Sequence, residues 1–540
     1  MIHLKLTFIG ADHEVTGSCH CLEACGKKII VDCGMEQGSN KYVNQDMPFP
    51  AAEADFVLLT HTHIDHIGLV PLLCAHGFRG PIYATVASCR LGDIMLRDCA
   101  HIQESETEWK NRKAQRSGQP EVEPLYTMND VEAAVKQFVP CHYNDAIDLC
   151  DGIRIRFRDA GHLLGSASIE VWIDEDGVKR KLVFSGDIGN LNQPLIKDPT
   201  YLDEADYVLM ESTYGARSHG PAPHYEQELE AIVERTLARG GNVVIPCFAV
   251  GRTQEVLYFL RKIKQDTSAD VIQKMQVYVD SPLAVQATHI FGEGMEECFD
   301  EETLALIAQG VNPITFDGLH TITTSEESQQ LNFDPTPKVI LSASGMCDAG
   351  RIRHHLKHNL WRSESTIVFA GYQAEGTLGR QLQDGVKSVK LFGEEIQVNA
   401  EITQISGISG HADHDGLIKW ITAFRQKPKE VFVVHGDDEI CDVFADELQN
   451  KYGIHAFAPF SGACFDLVSG EWLREGVREL VKKGEGAPSA AAAKKSTVFA
   501  RLLAAGQRLA AIIGRSEGGS NKDLARFADQ VSALCDKWDK

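Results

Sequence analysis

The sequence predicts an α/β fold of two or more units followed by a helical tail. Three observations predict it. Apolar runs of strand length end repeatedly in Gly, Ser, Asp or His and lead into amphipathic helical segments, the pattern of βα units around a mainly parallel sheet. One such run ends in His61-Thr62-His63-Ile64-Asp65-His66, a cluster of metal-type donors. The chain has 540 residues, 43% of them hydrophobic, enough for two or three cores rather than one.

Residues 3–9 and 28–33 read as strands, with turn signals at Gly10, Gly17 and Gly26. The second ends at Val31-Asp32-Cys33-Gly34, where Asp32 by itself is no more than a capping carboxylate. The run Ala54–Thr60 is a strand leading into the histidine cluster. Extended alternation puts His61 and His63 on one side, and a tight turn swings Asp65 and His66 toward a second metal position. The competing reading is a solvated polar loop, but clustered imidazoles and carboxylates need partners and metals supply them. Residues 67–76 and 86–116 have helical spacing.

Further along, His162 lies in Asp159-Ala160-Gly161-His162-Leu163-Leu164-Gly165. A lone histidine is usually a hydrogen-bonded core or loop residue, but its Gly-flanked setting suits close approach to a metal. Lys181–Gly189 is a strand ending in Asp187 between two glycines. Alone, Asp187 is a turn residue; after the cluster and His162, a carboxylate bridging two cations becomes the favoured reading.

The strand Tyr207–Met210 ends in Glu211-Ser212-Thr213-Tyr214-Gly215. Strand-then-helix units follow at 240–255, 277–284, 339–346 and 368–377. Their Gly/Ser turns offer backbone N–H groups to phosphate oxygens. Singly these are ordinary βα loops; four of them after a dinuclear pattern favour phosphodiester binding. Ser344, Gly345, Met346, Tyr372, Gly376 and Thr377 are the expected substrate contacts. Ile405–Asp413 then carries His411 ahead of a helix from about Asp415, and Glu430–Asp437 is a strand carrying His435.

The HxHxDH string resembles the metallo-β-lactamase superfamily. Asp32, the cluster, His162 and Asp187 match its order along the first 190 residues. The ESTYG context, with the later His411 and His435 segments, resembles the β-CASP group, the nucleic-acid-processing branch. The resemblance covers roughly residues 1–465. It implies an αββα sandwich at 1–212 and 399–465, a mainly parallel β-CASP domain inserted at 213–398, and a linker with helical extension at 466–540. It also implies two Zn2+ per chain: one held by His61, His63 and His162, the other by Asp65, His66 and His435, with Asp187 as bridge. Asp32 would support the metal loop from behind, and Glu211 would orient His411 as proton donor. His435 points to RNA, since DNA-repair members carry Val there. The implied reaction is hydrolysis of single-stranded RNA to 5′-phosphate and 3′-hydroxyl ends, endonucleolytic in the favoured mode and 5′-exonucleolytic in the other. Two rival readings are a fold relative acting on a thioester, lactone or small phosphodiester, and a non-catalytic RNA-binding subunit. The inserted domain with Glu211 and His411 counts against the first, the complete ligand set against the second.

The formal net charge of −23 argues against a general nucleic-acid sponge but leaves room for a local basic groove. None of the 15 cysteines forms a CxxC pair, and Cys19, Cys21 and Cys25 read as buried small hydrophobes. Unpaired cysteines without an export signal predict a cytoplasmic protein, and no apolar run is long enough to span a membrane. Past about residue 480, Gly484–Ser489 reads as a linker and 496–514 and 521–538 as helices, the second with Ser520 or Asn521 as N-cap. Arg501, Arg508 and Arg515 share a face beside Val498, Leu502, Leu509 and Ile513. Residues 481–540 hold 11 Lys/Arg against 6 Asp/Glu, which suits a docked or dimer-forming helical pair with a basic edge, or a tail that contacts RNA.

Overall fold

Two mixed sheets pack face to face with helices outside each, and a third sheet grows from one of them. The computed structural model describes residues 4–538, apart from 39–40, 221–223, 375, 406–408, 482–496 and 517–519. The first sheet runs Glu471–Arg474, Cys464–Asp466, Lys5–Gly10, Cys19–Ala24, Lys27–Val31, Phe56–Leu58, Ile82–Thr85, Phe138–Cys141. The second runs Ala456–Phe457, Glu430–Val434, Tyr207–Glu211, Val178–Phe184, Ala167–Glu175, Ile153–Asp159, Ile147–Cys150.

Strand alternation builds the layers. In Lys27–Val31, Ile29 and Val31 enter the core between the sheets, while Ile30 packs outward with Leu73 and Val131 of the covering helices. In Val178–Phe184, Leu182 and Phe184 face inward, and Val183 packs under the helices His414–Thr422 and Asp438–Tyr452. Phe8, Phe432, Phe465 and Trp472 lock the two sheets together, with Phe8 and Phe465 rings each 5.0 Å from Phe432. Truncating a buried aromatic such as Phe432 costs about 3–5 kcal/mol.

The chain leaves the second sheet at Glu211 and returns in the adjacent parallel strand, with Glu211 opposite Val434. Between them it builds an all-parallel sheet in the order Leu319–Thr321, Val277–Val279, Val339–Ser342, Val243–Pro246, Thr366–Phe369, Glu401–Gln404. Its central strands are buried on both faces, which explains their continuous apolar runs.

Four details differ from the sequence reading. Cys19–Ala24 is a hairpin strand, with Cys19 and Cys21 buried and Cys25 half-buried in its turn. The helix expected over 67–76 is two pieces, Ile64–Ile67 and Val70–Ala75, because Pro71 lacks an N–H and fits only in a first helical turn. Glu401–Gln404, read as part of the returning segment, is the edge strand of the third sheet. Glu471–Arg474, read as linker, pairs with Cys464–Asp466 in the first sheet.

The tail forms the helices Thr497–Arg515 and Asn521–Trp538. Ser520 caps the second by accepting from Asp523 N–H at 3.2 Å. Leu502 and Ile513 are exposed, as is Arg508. The linker Gly484–Ser489 and the side chains of Val498, Arg501 and Arg515 lie outside the described residues. No helix among the described residues is long and apolar enough to cross a membrane.

Candidate metal centre

Loops at strand ends of the two facing sheets meet at one point. From the first sheet, Phe56–Leu58 runs into Thr60-His61-Thr62-His63, and His63 starts the short helix that carries Asp65 and His66. From the second come His162 in the turn after Ile153–Asp159, Asp187 after Val178–Phe184, Glu211 at the end of its strand, and His435 after Glu430–Val434. Close backbone packing makes this possible. A Cβ on Gly189 would fall 1.7 Å from the Gly161 carbonyl oxygen, so only glycine lets the Asp187 and His162 loops touch.

The donors fall into two sets that share Asp187. In the first, His61 Nε2 is 3.1 Å from His63 Nδ1, and His162 Nε2 is 3.2 Å from the same atom. Asp187 Oδ2 lies 3.3 Å from His61 Nε2 and 3.5 Å from His162 Nε2. In the second, His66 Nε2 and His435 Nε2 are 3.1 Å apart, and Asp187 Oδ1 is 3.3 and 3.7 Å from them. Asp65 Oδ2 completes this set at 3.6 Å from His435 Nε2.

These spacings suit tetrahedral ligation. Metal–nitrogen bonds of about 2.0–2.1 Å place neighbouring donors about 3.3 Å apart. Asp187 Oδ1 and His162 Nδ1 are buried and make no hydrogen bond. A buried carboxylate oxygen without a donor is costly, and a cation is what its imidazole surroundings can share with it. Asp187 is held well below the usual carboxylate range: burial opposes ionisation, but His435, His66 and His61 outweigh it. Burial, with His61 beside it, pushes His63 down to about 3, leaving its lone pair free for a metal. His66 goes the other way, since Asp187 and Asp32 outweigh its burial. A cation there would compete with that proton for the same lone pair.

Hydrogen bonds from behind hold these donors in place. Asp32 Oδ2 meets His66 Nδ1 at 2.8 Å, while Asp32 Oδ1 accepts from Thr60 N–H and Oδ2 from the Thr60 hydroxyl, both at 2.8 Å. Asp32 therefore braces the histidine loop from behind. Thr213 Oγ1 lies 3.1 Å from His435 Nδ1 and orients that ring. Beside the two sets, His411 Nδ1 faces Glu211 Oε1 at 3.1 Å and Oε2 at 3.2 Å, and Glu211 accepts from Ile188 N–H at 2.6 Å. Burial works against charge on His411, but Glu211 and Asp187 outweigh it and raise its pKa to about 9. Its proton is therefore retained at neutral pH.

Family comparisons agree with this geometry. Residues 21–188 match the family described as "Metallo-beta-lactamase superfamily domain", 253–382 the "Beta-Casp domain", and 395–459 the "Zn-dependent metallo-hydrolase RNA specificity domain". Ribonuclease TTHA0252 of Thermus thermophilus is 38% identical over 437 residues, covering 81% of this chain and 94% of the relative. Transcription termination factor FttA of Methanosarcina mazei is 32% identical over 473 residues, covering 84% and 70%. The chain belongs to the β-CASP family of metallo-β-lactamase-fold hydrolases. As a β-CASP metallo-hydrolase it binds divalent metal, and the two donor sets are among the groups of described residues that could hold it.

The remaining β-CASP residues expected from sequence gather at the carboxyl end of the third sheet. Gln373 Nε2 donates to the Gly345 carbonyl at 3.0 Å, and Gly379 N–H to the Met346 carbonyl at 3.1 Å, joining the two loops. Tyr372 is exposed. Gly376 takes φ 84°, and the Thr377 hydroxyl caps the helix Leu378–Gln383. Ser344 Oγ donates to the Ala349 carbonyl at 3.4 Å and accepts from the Ala349 N–H at 3.5 Å. Gly345 has the exposed ring of Phe248 against it, a Cβ there meeting that ring at 3.1 Å. The loop holding Phe248 packs against the neighbour of His162, since a Cβ on Gly251 would lie 3.0 Å from Leu163. Sequence reasoning missed Thr60, Thr213 and Phe248. Thr60 and Thr213 adjoin motif residues, which was the available signal; nothing in the sequence marked Phe248.

Proposed function

We propose that this β-CASP protein is a two-zinc ribonuclease that cuts single-stranded RNA, in endonucleolytic mode, to 5′-phosphate and 3′-hydroxyl ends. The observation that carries the reading is Asp187, whose two oxygens each face a separate imidazole set. The name of the 38% identical relative and the description of the domain matched at 395–459 support RNA as substrate. His61, His63 and His162 would hold one ion, Asp65, His66 and His435 the other, and Asp187 both. When bound, the pair supplies a lowered water pKa and charge compensation at the attacked phosphate.

The chain's own groups do the rest. His411, held through Nδ1 by Glu211, gives its proton to the departing 3′-oxygen from Nε2. Asp32 and Thr213 keep His66 and His435 in register. The substrate runs between the metal centre and the β-CASP loops, where Ser344, Gly345, Met346, Tyr372, Gly376 and Thr377 flank its phosphates and bases. The test pairs elemental analysis with cleavage of a labelled single-stranded RNA. Close to two zinc ions per chain and products bearing 5′-phosphates are expected. Full activity with one ion, or no cleavage by zinc-loaded protein, overturns the reading.

A further inference from the structure

Beyond His411 lies a group of side chains for which the metal scheme has no use. The segment after Glu211 carries Tyr214, Arg217 and His219. The Tyr214 ring sits edge-on to His219, with centroids 4.6 Å apart, and 6.2 Å from the ring of His411. The Arg217 guanidinium lies over the Tyr214 ring, 5.3 Å from its centroid.

Hydrogen bonds fasten this segment to the one that carries His411. His219 Nε2 donates to the His411 carbonyl at 3.3 Å, and His219 N–H to Asp413 Oδ2 at 2.9 Å. Asp413 also caps the helix His414–Thr422, and His414 N–H donates to the Arg217 carbonyl at 3.1 Å. Tyr214 and Arg217 are therefore placed with respect to the proton donor itself.

Arg217 is exposed, and among the described residues no carboxylate pairs with it. Arg156, Arg235 and Arg351, by contrast, each hold a carboxylate. A guanidinium resting on an aromatic face, with its N–H groups uncommitted to an acid, is ready for a phosphate.

The chemistry fixes which part of an RNA would lie there; this step rests on the ribonuclease reading. Cleavage that leaves a 5′-phosphate expels the 3′-oxygen of the upstream nucleotide. His411 serves that oxygen, so the groups beyond His411 meet the upstream nucleotide. We propose that Tyr214 and Arg217 form the subsite for it, the tyrosine supporting its base and the guanidinium binding its 5′-phosphate. Stacking on an aromatic face is tolerant of sequence, so the subsite grips any base.

The test uses the full, metal-loaded chain and a single-stranded oligoribonucleotide with one cleavage site. Arg217→Ala should raise KM about tenfold, the worth of one charge-assisted contact, with the loss falling on KM rather than kcat. The slope of log KM against log salt should flatten by about 0.7, one phosphate contact on a single strand. Arg217→Lys should restore the salt slope and only part of the affinity. An abasic ribose upstream of the cut should weaken the wild type about tenfold and add little to the defect of Tyr214→Ala. Wild-type KM and salt slope in Arg217→Ala, with cleavage intact, overturn the subsite alone. A zinc-loaded wild type that leaves RNA uncut overturns the ribonuclease reading and the subsite with it.

Discussion

Glu211 holds the Nδ1 of His411 at 3.1 Å across 200 residues of sequence. The segment after Val178–Phe184 brings them together: Ile188 N–H donates to Glu211 at 2.6 Å, and Gly189 forms an isolated antiparallel bridge with His411. His411 is thus mounted on the sandwich, while Tyr214 and His219 beside it belong to the segment after Glu211.

His411→Ala should keep the metal content of the wild type and slow cleavage by roughly 10²–10⁴-fold, the worth of a positioned acid. A substrate with a bridging sulfur at the leaving position should recover most of that loss, because a thiolate leaves without a proton. Glu211→Gln should give a milder form of the same defect. Metal lost from His411→Ala would make it a ligand instead; a sulfur substrate that brings no recovery would remove it as the acid.

Asp187→Asn should lose metal from both sets, since each of its oxygens serves one. Elemental analysis reads this directly, and the sulfur substrate should not rescue it. A variant retaining both ions would show that the two sets are held independently.

Deleting residues 484–540 should leave metal content and cleavage of a short RNA unchanged, because no described donor or cleft residue lies there. The salt dependence of RNA binding and the oligomeric state are where the deletion can act. A folded, zinc-loaded truncation without activity would give the tail a part in catalysis.

Within the inserted domain, buried Asp280 binds Arg351 Nη1 and His355 Nε2, each at 2.6 Å, and accepts from Ser328 Oγ at 2.6 Å. Burial opposes its ionisation, but His355 and Ser328 outweigh it and lower its pKa. A depressed carboxylate stabilises the fold above its unfolded value of about 3.9 and loses that contribution as pH falls through the folded value. Asp280→Asn should therefore destabilise by about 3 kcal/mol at pH 7, with the gap to wild type closing below about pH 4. Denaturant melts at the two pH values measure it; a gap that stays constant in acid would mean that Asp280 contributes nothing through its charge.

The sequence by itself determined the donor set. Imidazoles and carboxylates at His61, His63, Asp65, His66, His162, Asp187 and His435 have few structural uses, and each sits at a strand end marked by glycine or a turn. The same alternation of strand and helix gave the parallel inserted sheet, because buried strands and covering helices impose different periods on apolar residues. Local patterning could not decide what pairs with what. The strand Cys464–Asp466 and the edge strand Glu401–Gln404 are short, and their membership in a sheet comes from Lys5–Thr7 and Thr366–Phe369, earlier in the chain. Only the tertiary structure could divide the two oxygens of Asp187 between two imidazole sets or set Arg217 over Tyr214 beside His411. These are distances of a few ångströms between residues far apart in sequence, fixed by how two sheets pack rather than by any residue's own preference.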